Sequence, residues 1–189
     1  MKKVFFILIA TIIAIAANAQ SHLQFMGIDI DGNCSSFVQK LSAKGFTLKK
    51  NIETGGAIMN GTFTGKDVEV YILVTPISKK VKSVSVYYPK DNSCSSIKYD
   101  YFKLKDSFKQ KYQLENEFEF FSDPYYEGDG YEMQAVRNDK CNYVSFFKTD
   151  LGGIMLDISK FEQLHVLYED SINSRIGSEE KESKVMEDI

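Results

Sequence analysis

The chain has 189 residues, and its 23 lysines and arginines against 26 aspartates and glutamates give a formal charge of −3. The charges are dispersed and slightly acidic, with no basic stripe to displace counterions from phosphate, which excludes a nucleic-acid partner. The length suits one domain or two small halves around a shared core, and 14 phenylalanines with 11 tyrosines against only 3 prolines favour sheet over bundle.

At the start, Lys2 and Lys3 precede an apolar run from Val4 to Ala17 that closes on Ala17-Asn18-Ala19. A basic head, an apolar middle and a small-x-small site predict a secretory signal peptide, residues 1–19, cleaved after Ala19. The run is interrupted by Thr11 and is too short to cross the hydrocarbon core. Gln20, not a cysteine, follows the cut, so no acceptor for a lipid stands there. The expectation is a periplasmic or secreted protein with no membrane span.

After a short lead containing Phe25-Met26-Gly27-Ile28, a first helix is predicted from Cys34–Ser36 to Lys44, with Phe37 and Leu41 one turn apart. Serine supplies a capping oxygen at its start, and Gly45 allows the left-handed turn at its end. Three strands follow at 57–64, 67–75 and 81–88, the second placing Val68, Val70, Ile72 and Val74 on one side. A longer helix is predicted from Ser95 or Ser96 to Tyr112 on the stripe Ile97, Tyr101, Leu104, Phe108 and Tyr112. Beyond it, 115–121, 131–137, 141–148, 153–158 and 164–169 read as short strands, and 171–188 as a frayed polar helix or a tail.

One echo organises this pass: Asp31-Gly32-Asn33-Cys34-Ser35-Ser36-Phe37 returns as Asp91-Asn92-Ser93-Cys94-Ser95-Ser96-Ile97. Both copies stand where a helix begins. The predicted fold class is therefore α+β, with two tandem helix-plus-antiparallel-sheet repeats and the helices on one face of the sheet. The first αβββ repeat takes 20–91, the second 92–170, and a polar tail 171–189.

Exported chains mature where thiols oxidise, and the echo favours a Cys34–Cys94 disulfide, with the two pairings through Cys141 or no bridge as alternatives. A thiol nucleophile needs a base, and His22 and His165 are the two histidines. Neither has an orienting partner visible in sequence, and no G-x-S-x-G elbow is present. The calcium-loop pattern at Asp29–Asn33 fails, because Lys40 stands where a bidentate glutamate is required. The acidic stretch 122–132 gathers Asp123, Glu127, Asp129 and Glu132, which reads first as a solvated loop and second as a calcium site. No zinc spacing exists. No catalytic residue, cofactor or metal ligand is assigned. Tyr87, Tyr125, Tyr126 and Tyr131 are the candidate surface for a protein or peptide partner, since tyrosine gives large contact area at low entropic cost.

The layout resembles that of the β-lactamase inhibitor protein fold and of the PepSY-like domains, two tandem helix-plus-sheet repeats in an exported chain. Phe25–Gly32, Lys44-Gly45-Phe46 and Leu167–Asn173 also resemble segments of small exported bacterial proteins of unassigned function. The resemblance implies a sheet presented to a partner protein, and it names no binding residue. The functional expectation is a non-enzymatic interaction module. The alternatives are an enzyme or calcium-dependent protein built around 122–132, and an envelope structural or stress protein.

Overall fold

The computed structural model describes residues 22–187, so the expected leader and its cleavage point lie outside the described residues. A two-stranded lead, β1 (Gln24–Phe25) and β2 (Ile28–Asp29), precedes α1 (Cys34–Ser42). Four strands follow: β3 (Thr47–Asn51), β4 (Ala57–Phe63), β5 (Lys66–Val74) and β6 (Val81–Tyr87). After α2 (Cys94–Lys109) come β7 (Gln113–Phe121), α3 (Glu132–Arg137), β8 (Cys141–Thr149), β9 (Gly152–Ser159), β10 (Gln163–Asp170) and α4 (Ser171–Glu187). The eight longer strands form one antiparallel sheet in the order β3-β4-β5-β6-β10-β9-β8-β7. The class is α+β, as the sequence implies. The described residues hold four helices: the two expected, α4 where the sequence offers a frayed polar helix or a tail, and α3 where it predicts a strand.

Both echo copies are helix starts. Asn33 Oδ1 accepts from the Ser36 amide at 2.8 Å and Ser93 Oγ from the Ser96 amide at 3.3 Å, so Cys34 and Cys94 are the first residues of α1 and α2. The capping oxygens thus come from one position before each cysteine, not from the serines after it, because the cap must lie three residues ahead of the amide it satisfies. At the other end of α1, Gly45 takes φ +93° and Phe46 folds back on Leu41. Phe46 occupies the space a side chain at residue 61 would need, since a Cβ on Gly61 would lie 2.2 Å from its ring.

The register explains which side chains are buried. Met59, Val70, Val86, Val166, Leu156 and Ser145 form one row across six strands, and Ala57, Ile72, Val84, Tyr168, Ile154 and Phe147 form the next. All twelve are buried. Helix α2 lies on this face: Tyr101 Oη bonds Ser145 Oγ at 2.6 Å, and Phe108 packs on Phe147 and Tyr168. Phe37 and Leu41 of α1 belong to the same core.

Segment 131–137 is a helix and not the strand expected. Tyr131, Met133 and Ala135 alternate like a strand, but Ala135 and Val136 are the pair that is buried. Strand β3 was unexpected. All five of its residues are exposed at the sheet edge, so its sequence carries no buried alternation. The other edge strand, β7, alternates Glu115, Glu117 and Glu119 with Leu114, Asn116, Phe118 and Phe120, and each edge strand carries a bulge, at Leu48/Lys50 and at Leu114/Asn116. Charges and bulges of this kind protect an open edge from pairing with another chain.

Helix α4 ties the chain together. Asp170 is fully buried and caps α4 through the Asn173 amide, while its second oxygen accepts from Leu23 N at 2.8 Å and its first also meets His22 Nδ1 at 3.2 Å. Asn173 Nδ2 donates to Ile30 O, Val81 O and Asp31 Oδ1. Further along, Glu180 accepts from the amides of Ile77 and Ser78 in the β5–β6 turn. The segments around 22–31 and 167–173 are thus the two halves of one buried polar knot.

Candidate functional site

The opposite face of the sheet is built differently. Its central row runs Asn60, Glu69, Tyr87, His165, Asp157, Val144 and Phe118 across seven strands. The adjacent row runs Ile58, Tyr71, Ser85, Leu167, Met155, Phe146 and Asn116. None of the apolar residues in these rows belongs to the core. Tyr71, Tyr87, Leu167, Met155, Val144 and Phe146 are half-buried, and Phe118 is 44% exposed. Antiparallel sheets that leave one face to water usually line it with polar residues. This one mixes aromatic and aliphatic side chains with the polar Asn60, Glu69, Ser85, Asn116, Asp157 and His165.

At the centre of the face lies an arrangement that sequence reading missed. His165 Nδ1 donates to Asp157 Oδ1 at 2.7 Å, and the imidazole stacks on Tyr87 with ring centres 4.5 Å apart. Tyr71 meets Tyr87 edge-on at 5.2 Å. The ring's other nitrogen, Nε2, is buried without a hydrogen-bond partner among the described residues. His165 therefore has the orienting carboxylate it seemed to lack. The signal was present in the sequence: counting outward from the turn at 160–162 pairs Ser159 with Gln163 and hence Asp157 with His165. His22 is likewise held, by Asp170 and at longer range by Asp31.

Burial pushes the Tyr87 phenol above its ordinary range, and the Asp157 and Tyr71 charges add to that. Tyr87 also walls a shallow concavity of about 490 Å³ at one end of the face, whose polar lining includes Asn60, Thr62, Asp67, Glu69 and Gln163.

The four tyrosines named from sequence do not share one surface. Tyr87 lies on the open face, whereas Tyr125, Tyr126 and Tyr131 stand in the loop between β7 and α3. That loop is drawn toward α2, because Glu127 bonds Lys98 and accepts from Tyr143 Oη at 3.0 Å. Tyr125 accepts from Asn138 Nδ2, and Tyr126 and Tyr131 are 67% and 62% exposed. The loop carboxylates are spent separately. Asp129 accepts from the amides of Tyr126 and Tyr131, Glu132 accepts from Gly128 N, and Glu127 is taken by Lys98, which holds its carboxyl below the usual range. Among the described residues no group of three or more His, Cys, Asp or Glu side chains could hold a metal ion, and no helix is long and apolar enough to cross a membrane.

The three cysteines are free, so the Cys34–Cys94 bridge favoured from the echo is not formed. The two positions share a role as helix starts, but that role places each on its own helix and does not make them neighbours. Burial raises the thiol pKa of Cys34, and of Cys94 despite the nearby Lys98 charge, which is the opposite of what an activated nucleophile requires.

No family model, no curated protein and no solved structure matches this chain.

Proposed function

We propose that the chain is an exported, non-enzymatic interaction module that presents the open face of its sheet to a protein or peptide. In this reading α1 with β3–β6 and α2 with β7–β10 are two copies of one unit, and α1 and α2 share the core face. Two observations support the duplication: each unit opens on a capped Cys-Ser-Ser helix, and each continues into four strands whose last members, β6 and β10, pair at the centre. The likeness to the β-lactamase inhibitor protein and PepSY-like layouts rests on this arrangement and points to the same use of a sheet.

The observation that carries the reading is the registered pair of rows outside the core, with Tyr71, Tyr87, Leu167, Met155, Phe146 and Phe118 side by side over six strands. Covering such side chains releases water at roughly 25 cal/mol per Å² of apolar surface. The test is site-specific photocrosslinking in an envelope extract. A photoreactive residue at Met155 or Phe118 should trap the same partner, and one at Ser107 on the solvent side of α2 should trap none. Crosslinks from Ser107 alone would overturn the reading.

One observation favours a second, catalytic reading: the Asp157-oriented His165 has the geometry of a general base. Its Nε2 is buried, where a substrate proton would not reach it, which favours the binding role. His165→Gln separates the two, since it should weaken capture of the partner in the first reading and abolish turnover with capture intact in the second.

A further inference from the structure

Helix α2 meets strand β8 at three places, in the same chain direction. Phe108 packs on Phe147 with ring centres 5.4 Å apart, Tyr101 bonds Ser145, and Lys98 Nζ lies 4.7 Å from the centre of the Tyr143 ring. At about 1.5 Å per helical residue, Cys94 to Phe108 spans roughly 21 Å, and at about 3.4 Å per strand residue, Cys141 to Phe147 spans roughly 20 Å. The two spans agree end to end. One helical turn before Lys98 stands Cys94, and two strand residues before Tyr143, on the same side of β8, stands Cys141.

We propose that Cys94 and Cys141, which like Cys34 are free thiols in this structure, are an oxidation pair, able to form a disulfide that fastens the first turn of α2 to the start of β8. Both side chains are half-buried, and Cys141 packs against the core. Cys94 is also close enough for its charge to be felt at Cys141, whose thiol burial pushes up to about 12. Cys34 belongs elsewhere, opening α1 beside the Asn33–Lys80 bridge. The oxidant is a small disulfide such as oxidised glutathione. The thiolate of one cysteine attacks it, forming a mixed disulfide and releasing one glutathione thiol. The second cysteine thiolate then displaces the second glutathione. Two protein thiols lose two electrons and two protons, and one glutathione disulfide becomes two thiols. Burial raises the pKa of both thiols in the folded chain, which disfavours the attacking thiolate there, so the exchange belongs to folding, before α2 docks.

The test is to refold the full chain with oxidised glutathione, alkylate free thiols and digest without reductant. The expected result is one linked peptide pair containing Cys94 and Cys141, two hydrogens lighter than its separate parts, with Cys34 alkylated. Reductant should then lower the melting temperature by roughly 10 °C, a shift kept in Cys34→Ser and lost in Cys94→Ser and Cys141→Ser. Linked peptides that contain Cys34, or three alkylated cysteines after oxidation, would overturn the proposal. Mapping of the unaltered chain decides the matter even where a serine variant fails to fold.

Discussion

Asn173 joins three parts of the chain from one side-chain nitrogen, since it donates to the Ile30 and Val81 carbonyls and to the Asp31 carboxylate. Alanine at this position would leave two buried backbone acceptors without donors. A buried group left unsatisfied costs about 1–3 kcal/mol, so Asn173→Ala should lower unfolding free energy by roughly 3 kcal/mol, measured as a shift in urea midpoint. Asp31 adds a pH dependence to the same knot. Partial burial raises its pKa, but the bonds from Asn173 and the Gly32 amide and the charges of His22 and Lys80 outweigh that, so its folded value lies below its ordinary one. A carboxylate depressed in the folded state stabilises the fold above its unfolded pKa and loses that contribution as pH falls through its folded pKa. Unfolding free energy should therefore fall between about pH 5 and pH 2, and Asp31→Asn should flatten that part of the profile. An unchanged profile in the variant would remove Asp31 from the account.

At the level of elements, the helix caps make the most direct test of the echo. Asn33→Ala and Ser93→Ala should each cost about 1 kcal/mol, and because one opens α1 and the other α2, their effects should add in the double variant. Equilibrium denaturation of the three variants checks both size and additivity. These caps also mark what the sequence made legible. Helices with a continuous apolar stripe, such as Ile97, Tyr101, Leu104 and Phe108, and strands with one buried side, such as Val68, Val70 and Ile72, announce themselves by period. Strand β3 does not, since an edge strand with no buried face has no pattern to show. Helix α3 is misread because six residues are too few to separate a period of two from one of 3.6. The open face was legible only as scattered tyrosines. Its composition depends on register across strands as distant as β5 and β10, and the Asp157–His165 pair emerges only when the β9–β10 hairpin is counted outward from its turn.

For the molecule as a whole, the described chain closes on itself, because the lead around Leu23–Asp31 and the helix after β10 hold each other across the centre of the sheet. The lead contributes Phe25 and Ile30, both fully buried, and α4 contributes Asn173 and Gly177. Gly177 passes close to Thr75 and Lys82, where an added Cβ would already be in contact at 3.5 Å. Past Glu180 the helix is exposed on every described side, from Lys181 to Glu187. This contrast fixes how much of α4 the fold needs. A chain ending after Glu182 keeps the knot and the Glu180 cap on the β5–β6 turn, and its urea midpoint should match that of the full chain. A chain ending after Asp170 loses the donors to Ile30 O and Val81 O and uncovers the buried Asp170 carboxylate, whose partners then come only from the lead. Such a truncation should unfold with a lower midpoint, and amide exchange should rise first in the lead and at the start of β6, where the lost bonds were. If exchange instead rose evenly over the sheet, α4 would be holding the fold through general burial and not through the knot that joins the two ends.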